Sequence, residues 1–152
     1  MNKLLITLIL VSCISVAHSQ TNAWFTSSAD AKAYAIDKKV PILLVFAGSD
    51  WCKPCMMLKT DILHSAAFET YFPSQMAVLY LDFPMQAKNK LPAELKKQNE
   101  LLAEKYNKSG AFPAMILINT EGKVLGSFTY TNQTPAVFVD QCKTLLASIQ
   151  AQ

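Results

Sequence analysis

The chain is predicted to be an α/β domain in which a mixed central sheet carries helices on both faces. Three observations lead there. Pro41-Ile42-Leu43-Leu44-Val45-Phe46-Ala47, closed by Gly48, is a continuous apolar run without the alternation of a half-wetted strand, so it reads as a strand buried on both faces. A second such run, Met76–Asp82, follows after helical periodicity. Finally, Ala114–Ile118 and Lys123–Phe128 flank Asn119-Thr120-Glu121-Gly122, a hairpin turn that makes the last strand an antiparallel edge. A strand-helix-strand crossover followed by a hairpin and a helix gives a mixed sheet covered on both sides.

In chain order, the N-terminus reads as a targeting segment. Lys3 supplies a positive start, Leu4–Val16 is apolar, and Ala17-His18-Ser19 fits the small-x-small rule, which places a signal peptide over residues 1–19 and a mature domain over 20–152. The run is shorter than the ~20 residues a spanning helix needs. Leu10-Val11-Ser12-Cys13 also has the spacing of a lipoprotein processing box, which would lipidate Cys13. Simple cleavage is favoured because Ile14-Ser15-Val16-Ala17 continues the apolar run.

Trp24 and Phe25 are expected to pack on the outside of the sheet. Ser27-Ser28-Ala29-Asp30 offers caps and first-turn acid for a helix to about Lys38. After the first core strand a helix runs to about Leu63, and Ser65 caps a short helix bearing Phe68, Tyr71 and Phe72 that Pro73 stops. Phe83-Pro84 ends the second strand, and residues 85–90 form a polar loop. Pro92 then opens a helix over Ala93–Tyr106 at its first position. Asn99 shares the face of Leu95, Leu102 and Tyr106, either as a satisfied buried amide or as a brace for the loop after Asp82. A helix from about Pro135 closes the domain. Its Phe138, Cys142, Leu145 and Ile149 form a buried stripe, making Cys142 a small core residue, with intermolecular pairing as the alternative.

Cys52 and Cys55 stand three residues apart where strand periodicity gives way to helix. On the first turn of a helix, such a pair has the Cα separation of roughly 5 to 6 Å that a disulfide needs. Unpaired N–H groups and the helix dipole favour a thiolate at Cys52, and Lys53 adds a full positive charge. Asp50 opposes it at similar range. Pro54 stiffens the turn. Cys52, nearer the open end, is the candidate nucleophile, and Cys55 the candidate resolving thiol.

Trp51-Cys52-Lys53-Pro54-Cys55 after an apolar strand resembles the active site of the thioredoxin superfamily. The longer string Phe46-Ala47-Gly48-Ser49-Asp50-Trp51-Cys52, with Leu81-Asp82-Phe83-Pro84 and Gly110-Ala111-Phe112-Pro113-Ala114, is similar to a branch of secreted, single-domain, Dsb-like disulfide oxidoreductases. The similarity covers about Trp24 to Ile149. It implies the thioredoxin fold, a Cys52–Cys55 redox pair, and a cis Pro113 facing that pair. The backbone before Pro113 would then meet the substrate peptide, with Phe112 and Trp51 as substrate-binding residues. One departure stands out: thioredoxins proper carry a buried acid six positions before the first Cys, where this chain has Phe46. Proton transfer to Cys55 would then use water or Asp50, or be slow.

Composition narrows the partners. Removing 19 of 152 residues leaves 133, and Lys3 is the one charged group lost, so the formal charge falls from +3 to +2. That is ordinary size for one domain. The chain contains no arginine, so a nucleic-acid partner is not expected. Three cysteines remain in the mature chain, an odd number that argues against a disulfide-stapled scaffold. The expectation is an exported thiol-disulfide oxidoreductase without cofactor or metal, acting on exported cysteine-containing proteins. At Pro54 the chain resembles the reductive members of that superfamily more than its strong oxidants, whereas Lys53 favours a higher potential. A reductase would imply a membrane-embedded thiol reductase as electron donor. The alternative is a thioredoxin-fold copper-binding or chaperone module, since Met56, Met57 and His64 lie near the two cysteines and thioether and thiolate suit Cu(I).

Overall fold

The structure is a computed structural model and describes residues 23–151. The expected leader, Cys13 and the Ser19 cleavage point lie outside the described residues. The chain forms β1 (Trp24–Phe25), α1 (Ser28–Lys38), β2 (Ile42–Ala47), α2 (Lys53–Met57), α3 (Ala66–Tyr71), β3 (Ala77–Asp82), α4 (Ala93–Tyr106), β4 (Ala114–Ile118), β5 (Val124–Phe128) and α5 (Pro135–Gln150). The five strands make one sheet in the order β1-β3-β2-β4-β5. β3 runs parallel to β1 and β2, while β4 is antiparallel to both β2 and β5. This is the expected α/β architecture with a mixed sheet.

β2 sits at the centre, and all six of its residues are buried. Successive side chains of a strand point to opposite faces. Leu43, Val45 and Ala47 therefore enter a core with Leu58 of the segment that follows α2, Phe68 of α3 and Phe138 of α5. Ile42, Leu44 and Phe46 enter a second core with Ala31 and Ala35 of α1 and Leu102 and Tyr106 of α4. The absence of alternation along β2 thus has a direct cause: both faces are dry. No helix among the described residues is long and apolar enough to cross a membrane.

Several elements differ from their sequence-based expectation. Trp24 and Phe25 are not loose cover but a strand, β1, in register with Val78 and Leu79. Two residues are too few to show a period of two. The helix after Cys52 changes at Leu58, where residues Leu58–Leu63 form a wider π-helical stretch that ends at His64. Pro92 stands at the N-cap of α4 rather than inside its first turn. On α5 the residues buried are Phe138, Val139, Cys142 and Leu146, and Leu145 is only partly buried. Leu145 instead lies against Gly126 of β5, where a Cβ would come within 2.7 Å of its side chain. Ser27, Ser65 and Thr134 cap α1, α3 and α5 through side-chain oxygens, as residues of this type do.

Candidate active site

The carboxyl ends of the adjacent parallel strands β2 and β3 place residues 48–52 and the loop from residue 83 to 92 side by side, the usual location of a site in an open α/β sheet. Cys52 and Cys55 are joined by a disulfide, with Cα atoms 5.3 Å apart. Cys52 is the N-cap of α2, and its Sγ accepts a hydrogen bond from the Cys55 backbone N–H at 3.3 Å. The same donor would stabilise a Cys52 thiolate once the disulfide opens. Cys52 is 5% exposed and Cys55 1%, so the outer sulfur is the one within a partner's reach. Pro54 lies in the first turn of α2 with Lys53 before it, both exposed.

Trp51, 44% exposed, organises the rim. Its Nε1 donates to the Phe83 carbonyl at 2.7 Å, and its ring meets Phe112 edge-on with centroids 5.3 Å apart. Phe83 meets Phe112 at the same distance. The Phe112–Pro113 peptide is cis, and the Phe112 ring sits between those of Trp51 and Phe83. Gly48 makes this possible, because a Cβ there would overlap the Trp51 indole. Gly48→Ala should displace the indole and break its bond to Phe83, changing the Trp fluorescence and lowering exchange with protein disulfides by about tenfold. Unchanged fluorescence would show that the indole has room to spare.

Asp50 is placed differently from its expected tuning role. Its carboxylate accepts from the Met85 and Gln86 N–H groups at 2.9 and 3.0 Å and from Asn89 Nδ2 at 2.8 Å. These donors, the Met85 N–H first, hold its pKa below the ordinary carboxylate value. Ser49 reaches the same neighbouring segment, donating from N and Oγ to the Asp82 carboxylate at 2.9 and 2.7 Å. Asn99 turns out to be both things expected of it, a buried amide and a brace, donating to the Asp82 carbonyl at 2.9 Å. In the sequence Ser49, Asp82 and Phe83 stand only within the strings that carry the resemblance and Asn89 within a polar loop, so none of the four has a role in the site there. The signal was present: the polar stretches after two adjacent parallel strands must lie together.

Phe46, in the strand position of the missing acid, is fully buried and pairs in register with Leu81. Its ring lies 6.4 Å from that of Phe83, on the α1 and α4 side of the sheet. No proton acceptor occupies that position. Lys59 places its Nζ 5.0 Å from the centre of the Tyr80 ring, whose hydroxyl is pushed up to about 12 by burial and then by Asp82.

The residues considered for copper are dispersed in role. His64 stacks on Trp24 and places Nδ1 3.0 Å from the Glu69 carboxylate, while Met56 points to solvent. Among the described residues, no group of three or more His, Cys, Asp or Glu side chains is placed to hold a metal. Cys142 is fully buried, and burial pushes its thiol up to about 12. In the reduced folded protein at pH 8, iodoacetamide should label Cys52 and leave Cys142 unmodified until denaturant is added, as mapped by mass spectrometry.

A family model described as thioredoxin-like matches residues 23–119. The disulfide bond reductase DsbH of Chlamydia pneumoniae is 32% identical over 125 residues, 82% of this chain and 74% of that protein. The thioredoxin-related protein DsbJ of the same organism is 28% identical over 138 residues, 83% of this chain but 38% of that longer protein. A solved DsbH oxidoreductase structure superposes with a TM-score of 0.75 at 31% identity, over 81% of this chain and 83% of that one. The Cys52–Cys55 disulfide lies within the residues that the family model matches, and the DsbH likeness extends over 82% of the chain, which accordingly belongs to the thioredoxin-like family as a Dsb-like thiol-disulfide oxidoreductase.

Proposed function

We propose that the chain is an exported reductase of protein disulfides. The observation that carries the chemistry is a disulfide at the N-terminus of α2 whose outer sulfur already accepts a backbone N–H. In the reduced enzyme, the Cys52 thiolate attacks one sulfur of a substrate disulfide. A mixed disulfide forms, and the other substrate sulfur leaves as a thiolate that takes a proton from solvent. Cys55, as thiolate, then attacks Cys52 Sγ. The second substrate sulfur leaves, the Cys52–Cys55 bond closes, and two electrons and two protons have passed to the substrate. A two-electron thiol donor must reopen the bond, the role proposed for a membrane-embedded thiol reductase.

Two features support the reductive direction: Pro54 between the cysteines, and the reductase activity named for the DsbH relative. Lys53 works against it by stabilising the reduced form. In this reading Trp51, Phe112 and cis Pro113 form the face that meets the substrate peptide, and residues 1–19 direct export, with the mature chain starting at Gln20. Equilibration with glutathione tests the direction. A potential of roughly −200 mV or lower, with insulin reduction driven by dithiothreitol, supports a reductase; a value near the −120 mV of strong oxidants rejects it. Mass spectrometry of the exported protein tests the start at Gln20 against lipidation at Cys13.

A further inference from the structure

Three consecutive residues before the first cysteine bind the end of β3 and the loop that follows it. Ser49 holds Asp82, Trp51 holds Phe83, and Asp50 takes the far part of the loop through Met85, Gln86 and Asn89. Gln86 returns the contact, donating from Nε2 to the Asp50 carbonyl at 3.2 Å. Residues 85–90 are exposed throughout, and Met85 is 76% exposed. Behind the loop, between it and α4, lies a cavity of about 300 Å³ lined by Phe83, Pro84, Leu91 and Asn99. The loop therefore has little packing to hold its outer part in place. Its own backbone closes a 3-10 turn over Ala87–Asn89, and what ties that turn to the active site is a carboxylate presented by the active-site loop itself.

We propose that Asp50 is a positioning residue for protein substrates, latching residues 85–89 beside Trp51 so that the loop forms a wall of the substrate-docking face. It acts on docking rather than on the Cys52 thiolate. An exposed loop carrying Met85 next to the half-exposed Trp51 suits the apolar side chains that flank a cysteine in a poorly folded segment. The low carboxylate pKa keeps the latch closed under ordinary conditions. Because the folded value is depressed, the stabilisation is complete above the usual value of 3.8 and is lost only as pH falls through the lower folded one.

The inference rests on the reading of Cys52–Cys55 as acting on protein disulfides. Asp50→Asn tests it, since the amide offers one acceptor and turns two donors toward Gln86 and Asn89. Asn89→Ala removes a single donor and leaves the Asp50 charge in place. The full chain without its leader is assayed for insulin reduction, and the Cys52 alkylation rate is followed against pH. The expected result is a KM for insulin raised about fivefold to tenfold in Asp50→Asn and about threefold in Asn89→Ala, with kcat within about twofold of the parent. The alkylation midpoint should move by less than about half a pH unit, because a partly exposed charge is screened. A parent enzyme inert toward insulin overturns both this inference and the reading beneath it. With an active parent, any result other than a raised KM in both variants and an unmoved midpoint overturns the latch alone.

Discussion

Cys52→Ser is expected to abolish disulfide exchange, with insulin reduction falling by about three orders of magnitude or more, because the serine hydroxyl is not ionised at neutral pH and cannot take up the second sulfur. Cys55→Ser should fail differently. It keeps the attacking thiolate and loses the sulfur that resolves the mixed disulfide, so covalent complexes with substrates should accumulate on non-reducing gels. The asymmetry follows from position: Cys52 is the cap at the mouth of α2, and Cys55 is the more deeply buried sulfur. If Cys55 were the attacking group, Cys55→Ser would give no complexes and Cys52→Ser would trap them.

Phe46 should carry the second large effect. Phe46→Ala removes a fully buried ring from the middle of the central strand and is expected to lower stability by about 3 to 5 kcal/mol. For a domain of this size, that is a fall in Tm of roughly 10 to 20 °C, measurable by calorimetry. Phe46→Asp restores the acid of thioredoxins proper, but here it would sit among Leu44, Leu81 and Phe83 with no partner supplied. Burial raises the pKa of such a carboxyl in the folded state. The charge-dependent part of its penalty, added to the loss of the ring, should therefore be small near pH 4 and grow as pH rises toward the folded value. A variant as stable at pH 8 as at pH 4 would reveal an unseen partner for the charge. This strand position has been given over to packing, and the chemistry of Cys55 must proceed without a carboxylate there.

The redox pair was legible in residues 41–59 because everything that defines it is local. Spacing put the sulfurs within bonding distance, and the helix start supplied the N–H that one of them accepts. β2, β3 and the hairpin were equally plain, since a strand buried on both faces shows as an unbroken apolar run. β1 was not, because two residues carry no pattern and pair only once β3 exists beside them. The π-helical stretch after Met57 and the contact of Leu145 with Gly126 were hidden for a related reason: both depend on packing against other elements.

Asp50 shows where local reading ends. In the sequence it is a charge two residues from a cysteine and reads as an electrostatic opponent of Lys53. In the fold its oxygens are taken by groups 35 to 39 residues away. The chain's order of residues settled the fold class, the reactive pair and the serine caps of α1 and α3, all of which follow from periodicity and short-range geometry. The partners of Asp50, the ring cluster around Phe112, and the face of the sheet toward which Phe46 points were decided by the folded molecule. Those depend on which strand ends become neighbours, and only the closed sheet brings distant loops within hydrogen-bonding reach.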